Sequence, residues 1–132
     1  CANTLICRHC AMSARCGDMK KNDEVTFLNT IIMDFITEPE LELFLKSIHD
    51  VWTDDLYKRL SKAGLIRHVV SKVWNKDFYR VSMVFEYDSK EGYESCQGII
   101  AKEFNEVRKE ELSKFVFKVQ TNRGVVLSEF IR

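Results

Sequence analysis

No stretch of this chain approaches the roughly 18 consecutive apolar residues that a membrane span requires, and no recognisable apolar export core is present. A protein without a membrane partner is expected. There is no surplus of charge of either sign, because 20 Lys and Arg residues balance 20 Asp and Glu. That removes the positive field of a dedicated nucleic-acid binder, so no nucleic-acid partner is expected. One proline and five glycines leave no flexible linker, and neither an internal repeat nor a low-complexity tract occurs. Nucleophile elbows, phosphate loops, helical metal-ligand pairs and cofactor fingerprints are also missing, and no cofactor is expected.

Cysteine is sparse outside one region. Four of the five cysteines lie in Cys1 to Asp18, a segment whose apolar residues follow no sustained period. Cys7 and Cys10 have the spacing of two zinc thiolates, and Cys16 lies nearby. A closed structural site needs four ligands, however; His9 is too near its neighbours, and only Cys1 remains. No metal site is expected, and residues 1–18 read as a poorly ordered extension ahead of one domain, 19–132. The odd cysteine count and the lone helical Cys96 fit a reducing, cytoplasmic setting.

What is present is a strong pattern. With 132 residues and 45% apolar content, the chain can build one buried core. Leu65 to Trp74 and Phe78 to Tyr87 are rich in β-branched and aromatic residues and flank the polar break Asn75-Lys76-Asp77, which predicts a hairpin. Before it, Val25 to Ile36 reads as a strand. Thr37 and Glu40 then form a helix-start signal, and Leu41, Phe44, Leu45, Ile48, Trp52, Leu56 and Leu60 recur at helical spacing. Thr53-Asp54-Asp55 offers a second start, so the helix bends or restarts there, and Ala63-Gly64 stops it. A second helix begins with Asp88 and Glu91 and presents Cys96, Ile100, Phe104 and Val107. Lys114 to Gln120 reads as the last strand, and Asn122-Arg123-Gly124 as a turn that folds Val125 to Ile131 back as an extra strand or arm. The charged run Lys102 to Lys114 reads as a solvated helix face. The order β-α-β-β-α-β is the split βαβ of a ferredoxin-like α+β domain, with an antiparallel sheet and both helices on one face.

Side-chain alternation then separates the two faces of the sheet. Tyr79, Val81, Met83, Phe85 and Tyr87 form an apolar face for the helices. Arg80, Ser82, Val84 and Glu86 form a mixed face, joined from the first strand by Leu28, Thr30 and Ile32 or by Asn29, Ile31 and Met33. The mixed face is too apolar for open water. A second copy, sheet against sheet, is the expected cover, giving a homodimer around a small-molecule cavity.

His68 is the sharpest candidate for chemistry, since a neutral imidazole exchanges protons near physiological pH. With a three-residue hairpin loop, Trp74 pairs with Phe78 and Lys72 with Arg80, and His68 joins Arg80, Ser82 and Glu86 on the mixed face. A two-residue loop reverses this, pairing Ile66 with Phe85 and aiming Arg67 there instead. His68 or Arg80 would polarise a substrate oxygen, Glu86 would orient that group, and Asn29 or Thr30 would supply a hydrogen bond. His49 flanks the helix stripe at a pocket mouth, and Trp74 at its strand end can line an aromatic site.

The run Arg59-Leu60-Ser61-Lys62-Ala63-Gly64-Leu65-Ile66-Arg67-His68, followed by the hairpin and Phe85-Glu86-Tyr87-Asp88-Ser89-Lys90-Glu91, resembles the dimeric α+β barrel superfamily. The resemblance spans roughly Val25 to Gln120. That superfamily includes antibiotic-biosynthesis monooxygenases, haem-degrading monooxygenases and muconolactone isomerases. It implies a dimeric α/β barrel and a cofactor-free oxygenation or isomerisation of an aromatic or polyketide-like compound. A haem-degrading member would pair an asparagine on the first strand with a tryptophan near the end of the third and a histidine on the second helix. Asn29 matches the first, Tyr87 stands in place of the second, and the second helix has no histidine. Two non-enzymatic alternatives share the fold: a ligand-binding or assembly domain, and an RNA-binding module with exposed aromatics on its central strands.

Overall fold

The computed structural model describes residues 24–74, 77–104, 110, 114 and 118–132. The extension assigned to residues 1–18 lies outside them, as do Val107 and most of the charged run from Lys102 to Lys114. The elements are β1 (Phe27–Phe35), α1 (Glu38–Val51), α2 (Asp54–Ala63), β2 (Leu65–Val73), β3 (Tyr79–Tyr87), α3 (Lys90–Glu103) and β4 (Lys118–Val125). Strand order is β2-β3-β1-β4 and every pairing is antiparallel, which is the ferredoxin-like arrangement. Among the described residues no helix is long and apolar enough to cross a membrane.

The first helical region does restart. Thr37 caps α1, accepting a hydrogen bond from the Glu40 amide at 3.3 Å, and Thr53 caps α2, accepting one from the Leu56 amide at 3.2 Å. Trp52 sits at the break with extended-side ψ and leaves the helical cylinder. For α3 the cap is Ser89, which accepts from the Gly92 amide at 2.9 Å. Asp88, the expected cap, instead accepts the Ser89 hydroxyl at 2.9 Å.

Leu41, Leu56, Leu60, Val81, Tyr87 and Cys96 are sealed from solvent between the helices and one sheet face. Gly64 closes α2 at φ +133°, a backbone region that L side chains avoid. A Cβ there would lie 2.7 Å from both Asp88 Oδ1 and the Gly92 Cα. The two glycines thus let the α2–β2 corner touch the start of α3.

Both hairpin registers expected from the sequence are corrected by the structure. Val73 pairs with Arg80 and His68 with Phe85, so residues 74–79 lie between the last paired positions of the hairpin, and a bulge falls between Leu65 and Arg67. Ile66 is the extra residue, so Leu65 and His68 both face the helices although they are three apart. The expected turn at Asn122-Arg123-Gly124 is also corrected. Those residues lie inside β4, paired with Thr30, Asn29 and Leu28 of β1. The unpaired edge of a nine-residue strand outweighs a local turn preference, because each added residue continues the ladder.

Candidate functional site

Asn29, Phe85 and Ile31 point from the sheet toward the helices, and there they line a cavity of about 430 Å³. Trp52, Met83 and the α3 residues Gln97, Ile100, Ala101 and Phe104 complete its wall. The wall is mainly apolar, as expected of a pocket that takes an organic ligand. This cavity lies under the helices of one protomer, not on the open sheet face where the sequence placed the site.

Asn29 is the polar exception at its floor. The residue is 3% exposed, and its Oδ1 has no hydrogen-bond partner among the described residues. An unsatisfied buried acceptor costs about 1–3 kcal/mol, so its position in a wall whose other polar side chain is Gln97 calls for a partner beyond the described residues.

Beside the cavity, Trp52 gathers an aromatic cluster. Its ring centroid lies 5.6 Å from Tyr57, 4.9 Å from His68, 5.8 Å from Phe85 and 5.6 Å from Phe104. The His68 ring stacks on Phe85 at 4.0 Å, and its Nδ1 lies 2.7 Å from the Tyr57 hydroxyl. Burial drives the His68 pKa down to about 4 and the Tyr57 pKa up, so a neutral imidazole meets a neutral phenol. With Tyr57 donating to Nδ1, the ring proton sits on Nε2, a buried atom with no partner among the described residues.

The candidates named from sequence divide between the two faces. Asn29 and His68 face the helices. Thr30, Arg80, Ser82 and Glu86 share the open face, and the bulge aims Arg67 there, 3.9 Å from Glu86. Arg80 is engaged by Asp34, Nε to Oδ1 at 2.6 Å and Nη2 to Oδ2 at 3.0 Å, and this guanidinium holds the carboxyl below its ordinary pKa. His49 is exposed on α1, and Trp74 is 89% exposed at the hairpin end, neither of them at the cavity. His68 therefore does not meet Arg80 and Glu86 in one site. Sequence reasoning missed Tyr57 and Gln97, which lie off the apolar stripes, and took Trp52 for packing alone. The Thr53 restart was the available signal that Trp52 leaves its helix. Among the described residues no cluster of three or more His, Cys, Asp or Glu is placed to hold a metal ion.

Comparison with solved structures places this geometry among dimeric ferredoxin-like proteins. A dimeric ferredoxin-like protein from an uncultured marine organism is 68% identical, with a TM-score of 0.83 over 86% of this chain and 98% of that one. A second, also dimeric and from an uncultured marine organism, is 27% identical, with a TM-score of 0.71 over 81% of this chain and 100% of that one. A monooxygenase from Streptomyces coelicolor, solved with the ligand Nanaomycin D, shares the fold at 11% identity, with a TM-score of 0.60 over 86% and 99% of the two chains. The likeness to the Streptomyces monooxygenase is one of fold alone, and the dimeric relatives support a homodimer here. No curated protein matches the chain. Residues 24–126 match the family described as "Domain of unknown function (DUF6974)", to which the chain belongs.

Proposed function

We propose that this protein is a homodimeric small-molecule-binding domain whose cavity between sheet and helices takes a flat, mostly apolar, aromatic or polyketide-like ligand bearing a hydroxyl group. The observation that carries this reading is the buried, unpartnered Asn29 Oδ1 at the floor of a mainly apolar cavity. A hydroxyl both donates and accepts, so it satisfies either end of that amide, while the aromatic body replaces water against Trp52, Phe85 and Phe104. An RNA-binding reading lacks its platform: the open faces of β1 and β3 carry Leu28, Thr30, Ile32 and Asp34, and Arg80, Ser82, Val84 and Glu86, none of them aromatic.

Calorimetric titration with 2-naphthol tests the proposal on wild type and Asn29→Leu. The variant should fold at least as stably, because it removes an unpaired buried acceptor, and should bind about tenfold more weakly. Equal binding by both proteins, or no binding of naphthol-like compounds to wild type, refutes it.

The His68–Tyr57 pair, packed behind Trp52 and Phe85 of the cavity wall, favours a second, catalytic reading in which a ligand reaches past those rings: cofactor-free monooxygenation or isomerisation. In the first, a ring CH2 and O2 give C=O and H2O; in the second, a proton moves between carbon and oxygen of one molecule. His68 Nε2–H would polarise the substrate oxygen and Tyr57 would fix the tautomer. Arg80 and Glu86, on the other face, take no part. Turnover of a quinol and lactone panel by wild type but not by His68→Gln, with ligand binding retained, supports catalysis; binding without turnover in either leaves a non-catalytic ligand-binding domain.

A further inference from the structure

Four residues from four strands share one row across the helix-facing side of the sheet. His68 of β2 pairs with Phe85 of β3, Phe85 with Asn29 of β1, and Asn29 with Arg123 of β4. Neighbouring strands lie about 4.8 Å apart, so Arg123 stands one strand beyond Asn29, at the opposite end from the imidazole. Its Nη1 donates to the Tyr93 hydroxyl at 2.9 Å, which holds the guanidinium against α3. Gln97, one helical turn past Tyr93, lines the cavity.

Arg123 also differs from the arginines of α2, β2 and β3. Arg59 pairs with Asp55 and Glu103, Arg67 with Glu86, and Arg80 with Asp34. Among the described residues no carboxylate lies within ion-pair distance of Arg123. A guanidinium anchored by a neutral phenol keeps further donors for a planar anion, the geometry in which arginine is most selective.

We propose that the ligand is a hydroxylated aromatic carboxylate, with its acid group on Arg123 and its hydroxyl on Asn29. Arg123 is then the specificity-determining residue, and the inference rests on the cavity being a small-molecule site. Two probes of one shape separate the claims: 2-naphthol and 3-hydroxy-2-naphthoate, titrated into wild type, Arg123→Met and Arg123→Lys. Wild type should prefer the carboxylate by about tenfold, and raised salt should weaken the preference. Arg123→Met should abolish the preference without changing naphthol binding, and Arg123→Lys should retain part of it. Arg123 is exposed on an edge strand, so each variant should lose no more than the Tyr93 hydrogen bond, about 1 kcal/mol, and remain folded at the titration temperature. Naphthol binding that depends on Asn29, with no preference in wild type or the same preference in Arg123→Met, overturns this inference alone. Failure of both probes to bind wild type overturns it together with the cavity reading.

Discussion

Acidification should destabilise this protein through His68 at a pH above that at which its carboxylates protonate. Burial beside Trp52 and Phe85 lowers the imidazole pKa from 6.5 to about 4. Between those values the unfolded chain takes up a proton that the folded chain refuses. The stability contributed by a neutral ring is therefore complete above pH 6.5 and is lost progressively as pH falls toward about 4. Every tenfold loss of proton affinity on folding corresponds to about 1.4 kcal/mol, which sets a ceiling of about 3 kcal/mol for the whole interval. The ring is partly open to solvent, and screening reduces the expected loss to about 1–2 kcal/mol. Urea denaturation measures it, comparing wild type with His68→Gln from about pH 7.5 to about pH 4.5. The variant starts lower, having lost the stack on Phe85 and the Tyr57 hydrogen bond, but its stability should fall less steeply with pH. Parallel pH profiles would refute the argument, because they would mean that His68 is as easily protonated in the folded state as in the unfolded chain.

Gly64→Ala should destabilise the fold by about 2 kcal/mol or more, read as a lower urea midpoint, because φ +133° and the 2.7 Å approaches to Asp88 and Gly92 leave no place for a Cβ. Asp34→Asn should lower the melting temperature at neutral pH, and the deficit should close as pH falls below the ordinary carboxylate value of 3.8, since Arg80 holds the Asp34 pKa down and the ion pair is lost on protonation. Val84→Lys, on the open face of a central strand, should convert the dimer to a monomer in light-scattering chromatography; an unchanged dimer would place the interface elsewhere.

The sequence by itself determined the order of the elements, but not the last strand, expected at Lys114 to Gln120 with an extra strand or arm at Val125 to Ile131 and found at Lys118–Val125 with no strand after it. Helical spacing, the Thr37 and Thr53 signals and the β-rich hairpin runs are local patterns, and local hydrogen bonding and steric preference act on them within a few residues. The expectation of a homodimer, which the dimeric relatives support, was also readable, because a half-apolar sheet face is a property of strand alternation alone. The tertiary structure decided what depends on partners distant in the chain. The bulge at Ile66 shifts parity by one residue, and parity alone sends His68 to the helices and Arg67 to the open face; no local preference marks it. Asn122-Arg123-Gly124 has turn chemistry, yet the free edge of β1 draws it into a strand. That pairing places Arg123 in line with Asn29, Phe85 and His68, residues between 29 and 123 that no sequence window spans. The candidate site is thus a property of strand register, which is fixed by the summed packing of both sheet faces rather than by the residues that compose it.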